Sequence, residues 1–145
     1  MKVRAYNRAF VHRALSLWSD WAHEDHCLAT ANTPYPDEDE LAKHEAIMQR
    51  CKEVLSRLQS GEATLEYHDG VDWRAEPWMH DDTACVIQAL MWSVDAVRQD
   101  GFRRNDGRTS EDILTEYSEF ASICMEITRE LQCGHSQITR KEATR

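Results

Sequence analysis

An all-α fold, a four-helix bundle in a single domain, is the architecture this sequence predicts, and three observations predict it. Glycine and proline are scarce, 5 and 3 in 145 residues. Apolar residues recur at alternating three- and four-residue intervals in four separate segments, the spacing that lines one face of a helix. Start and stop signals bound those segments where helix ends are needed.

The first segment carries Phe10, Ala14, Leu17 and Trp21 at 4-3-4 spacing, with Val11, Leu15 and Trp18 widening the stripe. The second opens after "TPYPDEDE", where Pro36 and an acidic run suit a helix N-terminus. Proline's missing N–H costs nothing there, and negative charge meets the positive end of the helix dipole. Its seam reads Leu41, His44, Met48, Cys51, Leu55 and Leu58 before a stop at Gly61. The third begins with Asp81 or Asp82 as N-cap and aligns Ile87, Leu90, Val94 and Val97 before Gly101. It is apolar around most of its circumference and is expected to be the most buried helix. The fourth starts at the capping-box-like "TSED" and runs through Ile113, Tyr117, Phe120, Cys124, Ile127 and Leu131 to Gly134. Helices with 3-4 seams pack near-parallel, which is the geometry of a bundle.

Between the second and third helices, Leu65, Tyr67, Val71 and Trp73 alternate around an Asp-Gly turn. That pattern predicts a small β-hairpin over about residues 63–75, lying against the bundle through Trp73 and Trp78. The domain is expected to span residues 1–134, with 135–145 a flexible basic tail.

The composition, 41% hydrophobic and 30% charged, belongs to a soluble folded protein. Residues 84–97, the longest apolar run, include Gln88, Ser93 and Asp95 and are too short to span a bilayer. Five cysteines without a CxxC pair, and no apolar leader after Met1, predict reduced thiols and a cytoplasmic location. The first 13 residues, four basic and none acidic, have the bias of a transit peptide. Their apolar spacing nevertheless continues without a break into the first helix.

The net charge of -9 is unevenly distributed, because residues 20–82 hold 16 acidic against 5 basic side chains. Such a chain repels phosphate backbones, so nucleic acid would have to be met by Arg103, Arg104 and Arg108 or by the tail. The acidic middle suits a basic protein partner. Tyr35 beside Asp37, Glu38, Asp39 and Glu40, with Tyr67, Trp73 and Trp78 in the hairpin, would offer aromatic anchors in a steering field. The bland alternatives are a solvated acidic face and tryptophans that merely cover the core.

Candidate chemistry is thin. "WAHEDHC" holds His23, His26 and Cys27, whose i, i+3 and i, i+4 spacings could supply half a zinc site. With the core direction set at Trp21, they point about 200°, 140° and 240° away, toward solvent. A solvated helix end is therefore expected. His44 lies on the apolar seam of helix two, either as a hydrogen-bonded core residue or as the mark of a pocket. It sits about 10.5 Å along the helix from Cys51, too far to share an ion. Cys51 and Cys124 read as small core hydrophobes. The glutamates of helix four avoid its seam, although Glu116 and Glu119 have the Glu-x-x-Glu spacing of helical nucleotide hydrolases. No catalytic, cofactor or metal site is assigned, and the chain is expected not to be an enzyme.

Trp18 and Trp21, followed much later by Asp81, Asp82 and Ala84, resemble two elements of the phage antitermination Q family of the kind lacking a zinc ribbon. These are a Trp-x-x-Trp near the start and an Asp-Asp-x-Ala opening an apolar helix. A later Leu-x-x-x-Tyr element is matched loosely around Tyr117. The motifs are short and cover about a third of the chain. The family continues into a basic helix-turn-helix-like segment, whereas here only "QITRKEATR" follows. The resemblance implies a phage or mobile-element protein acting by contact on a host machine such as the transcription apparatus.

Together these readings give an acidic helical protein that works stoichiometrically as a regulator or inhibitor of a macromolecular partner. A metal-dependent all-α nucleotide hydrolase and a DNA-binding antiterminator are the alternatives.

Overall fold

The computed structural model describes residues 5–32, 34–60, 65–67, 70–100 and 110–133. They form four α-helices: α1 (Ala5–Asn32), α2 (Glu38–Ser60), α3 (Asp82–Asp100) and α4 (Ser110–Gln132). Two 3-10 turns, Trp73–Ala75 and Pro77–Met79, lie between α2 and α3. The fold is all-α, and no helix among the described residues is long and apolar enough to cross a membrane.

α1 and α2 run antiparallel, tied at both ends. The Arg8 guanidinium near the start of α1 donates to the Leu58 carbonyl in the last turn of α2, a terminal acceptor with no partner inside its own helix. At the other end, Asp25 of α1 meets His44 of α2. α3 packs on both α1 and α4, and the buried Ser93 hydroxyl donates to the Ala14 carbonyl at 3.5 Å. α4 closes the other side of α1, where Phe120 lies 5.7 Å from Phe10 and beneath the Arg13 guanidinium at 4.3 Å.

One continuous core joins the four helices. Residues 83–87 and Ala89, Leu90, Ser93, Val94 and Val97 of α3 are all buried, as its wide apolar surface requires. On α4 Phe120, Cys124, Ile127 and Leu131 are buried at the expected spacing. The side chains of Ile113 and Tyr117 fall outside the described residues, as do Gly61, Gly101 and Gly134. Cys51 and Cys124 are core residues. The adjacent Cys85 together with burial pushes the Cys51 thiol far up, and burial pushes that of Cys124 up to about 12, so both stay protonated.

The α1 stripe is rotated from its expected position. Val11, Ala14, Leu15, Trp18 and Ala22 are buried, while Phe10, Leu17 and Trp21 flank them partly exposed. The residues read as widening the stripe are its centre. On α2, Ile47 and Val54 join His44, Cys51 and Leu58 in the interior, and Leu41, Met48 and Leu55 line its edge.

The expected β-hairpin is corrected, because no strand forms among the described residues. Gly70 does take the positive φ of a turn, at 80°. The flanking backbone is drawn elsewhere. The Glu66 N–H goes to the Thr83 hydroxyl at 2.8 Å, and the Asp72 carboxylate caps the first 3-10 turn through the Arg74 N–H. Leu65 and Trp78 both enter the core. Burying those two side chains is worth more than the few ladder bonds of a two-stranded ribbon.

The start of α3 is fixed by two adjacent aspartates with different tasks. Asp81 is the N-cap, its Oδ1 accepting from the N–H groups of Thr83 and Ala84 at 2.8 and 3.3 Å. Asp82 is thereby free to accept from Arg57 at 2.7 and 2.6 Å and from Arg50 at 2.9 Å. Arg50 also donates to the Trp78 carbonyl at 3.1 Å and to Glu53 at 2.8 Å. This network fastens the connection and α3 onto α2.

Candidate functional site at the junction of the first two helices

Asp37 builds the entrance to α2. Its Oδ1 accepts from the N–H groups of Asp39 at 2.9 Å and Glu40 at 3.4 Å, and its carbonyl from that of Leu41. Glu38, Asp39 and Glu40 fill the first turn, where the helix dipole stabilises them. All four acids are exposed, and Tyr35 just before them is 90% exposed. This half of the expected partner surface is presented to solvent.

The other half is not presented in the same way. Trp78 is only 4% exposed and meets Trp18 edge-on at 5.5 Å, so it is a core residue and not an anchor for a partner. Tyr67 and Trp73 are half-buried against the same core. The basic residues Arg103, Arg104 and Arg108 and the tail lie outside the described residues.

Beneath the acidic entrance, one turn further along α2, His44 is 3% exposed. Trp21 meets its ring edge-on at 5.7 Å, and the His26 ring lies 6.4 Å away at a similar angle. Its Nε2 is 3.3 Å from Asp25 Oδ2, while its Nδ1 is buried with no hydrogen-bond partner. His26 Nδ1 is buried and unpartnered as well. Ligand atoms of Asp25, Glu40 and His44 all lie within 4.8 Å of one another. Among the described residues this is the one such gathering of three histidine, cysteine or carboxylate groups.

"WAHEDHC" thus divides into two faces. His23 and Cys27 point outward as expected, 3.8 Å apart and both exposed. His26 and Asp25 instead turn toward α2, which corrects the expectation of a wholly solvated helix end. Taking the core direction from Ala22 rather than Trp21 puts His26 within about 40° of it and Asp25 within about 60°. The signal for this was the run Val11, Leu15, Trp18, Ala22, whose small last member is easily passed over. Pairing of Asp25 with Glu40 across two helices had no sequence signal at all.

No protein-family model, curated protein or solved structure is found to match the chain.

Proposed function

We propose that the protein works stoichiometrically, presenting the entrance of α2 to a basic surface on a macromolecular partner, as a regulator or inhibitor. One observation carries this reading. At residues 35–40 a 90% exposed tyrosine stands beside four exposed carboxylates on a helix end held by its own cap. An exposed aromatic ring has much to gain from desolvation on docking, and the surrounding charge speeds encounter with a cationic surface. The four helices, read as a four-helix bundle, supply a rigid platform for that edge.

The resemblance of Trp18, Trp21, Asp81, Asp82 and Ala84 to antitermination Q proteins makes a host nucleoprotein machine, such as the transcription apparatus, the favoured partner class. It also carries the idea of a phage or mobile-element origin. In that setting a DNA contact would fall to Arg103, Arg104, Arg108 or residues 135–145. The nucleotide-hydrolase alternative has less support, since Glu116 and Glu119 are exposed on α4 rather than gathered within the fold.

The test uses a triple variant, Tyr35→Ala with Glu38→Gln and Asp39→Asn, which spares the Asp37 cap and the Glu40 carboxylate. Tagged wild type and variant are used in parallel to capture proteins from a host lysate. The expected result is a basic partner retained by the wild type, released by salt, and lost from the variant at unchanged thermal stability. Identical capture by both would remove residues 35–40 from the interface and end this reading.

A further inference from the structure

We infer that Asp25, Glu40 and His44 form a binding site for a divalent transition-metal ion of the zinc class, linking the end of α1 to the start of α2. This inference shares Glu40 with the partner-binding reading but does not rest on it.

The donor set suits such an ion. Two ligand atoms held at zinc-like distances of about 2.0–2.1 Å, at a tetrahedral angle, stand roughly 3.3 Å apart. His44 Nε2 and Asp25 Oδ2 are separated by 3.3 Å, so an ion could sit between them without the helices moving. The Glu40 carboxylate has its ligand atom within 4.8 Å of both, on an exposed and extensible side chain. It closes the remaining gap by rotation. An imidazole nitrogen among the donors selects against magnesium and calcium, which prefer all-oxygen shells.

Electrostatics and burial point the same way. Two carboxylates close together in a strongly acidic stretch repel one another, and no arginine or lysine is paired with either among the described residues. The nearby Lys43 is instead engaged with Glu76 at 3.3 Å. A dication at this point would neutralise both acids. His44 is more than nine-tenths buried, with one nitrogen toward the acids and the other unpartnered, and that burial limits its ring to few orientations. Fixing a ligand in advance lowers the entropic cost of binding. His26, whose buried Nδ1 also lacks a hydrogen-bond partner, flanks the site with its ring 6.4 Å from that of His44. The three ligands leave room for water, so the site would be open rather than closed.

The experiment takes the full chain, purified without a histidine tag and stripped with a chelator. Cobalt(II), a spectroscopic stand-in for zinc, is titrated in and followed by visible absorption, then displaced with zinc. One ion per chain is expected, with a cobalt spectrum that zinc abolishes and a higher melting temperature on binding. Asp25→Asn and Glu40→Gln, both at partly or fully exposed positions where folding is kept, should each weaken binding at least tenfold. His44→Ala should abolish it, and circular dichroism would show whether that buried change also unfolds the chain. His23→Ala and Glu38→Gln serve as controls that leave affinity unchanged. Absence of saturable binding would overturn the inference. So would binding that survives both carboxylate changes, or binding lost on His23→Ala, which would place the ion on the outward His23–Cys27 face.

Discussion

Two of the places where acidic side chains meet α2 are built on opposite principles. At the α2–α3 contact Asp82 is saturated: two arginines supply three charge-assisted hydrogen bonds to its carboxylate. At the α1–α2 junction Asp25 and Glu40 approach one another with only a histidine between them. Burial works against ionising Asp82, but the guanidiniums of Arg57 and Arg50 outweigh it and hold its carboxyl below the ordinary value. No arginine or lysine does the same for the junction among the described residues. An acid already matched by cations holds the fold together, whereas acids left without them are available to a ligand. That difference separates a structural contact from the junction proposed above as a binding site.

The comparison can be broken first in the matched region, where the largest effect is expected. Trp78→Ala should destabilise by about 3–5 kcal/mol in denaturant unfolding, because it empties a core position against Trp18 and loosens the carbonyl that Arg50 grips. A loss below about 1 kcal/mol would mean that Trp78 is a surface residue after all.

Asp82→Asn comes next, at about 2–3 kcal/mol, since it leaves two partly buried guanidiniums without their acceptor. The pH dependence follows from the lowered pKa. The contribution of Asp82 is complete above the ordinary aspartate value of 3.8 and is lost as pH falls from there through the lower folded value. Wild type should therefore lose stability more steeply below about pH 4 than Asp82→Asn does. Parallel acid profiles for the two proteins would show that the ion-pair network contributes nothing to folding.

A smaller change of opposite sign is expected at Glu76, a non-glycine residue held at φ 53° between the two 3-10 turns. Glu76→Gly should stabilise by about 0.5–1 kcal/mol, as removing the Cβ relieves left-handed strain and forfeits only an exposed ion pair with Lys43. Destabilisation by the same amount would show that the ion pair outweighs the strain.

The smallest effect on folding belongs to the junction's outer rim. Glu38→Gln with Asp39→Asn should change stability by less than about 0.5 kcal/mol, because both side chains are exposed beside a cap that remains intact. A larger loss would make the acidic entrance a structural element and erase the contrast with Asp82.

Much of the helical framework was legible in the sequence because its signals are local. Asp37 and Asp81 sit just before helices and cap them, and α2 and α3 each end immediately before a glycine. The 3-4 recurrence of Phe120, Cys124, Ile127 and Leu131 selected one face, and all four are buried. Local pattern misled in two places. Alternation around Gly70 resembled a hairpin, and a stripe counted from Trp21 turned His26 outward.

Both errors have one physical origin. Periodicity reports which residues are apolar, and each segment can be read without its neighbours. Whether Leu65 and Trp78 enter a core, or the Glu66 N–H finds the Thr83 hydroxyl, depends on surfaces contributed by distant parts of the chain. The same holds for Asp25, His26, Glu40 and His44. By itself the sequence determined the helices, the cap of α3, the acidic charge and most of the buried seams, because backbone geometry and side-chain hydrophobicity act within a few turns. Only the tertiary structure decided that the matched acid would be Asp82 and the unmatched ones Asp25 and Glu40. Charges pair across space: packing of α3 on α2 brings Asp82 to its arginines, and antiparallel packing of α1 on α2 brings Asp25 to Glu40 and His44.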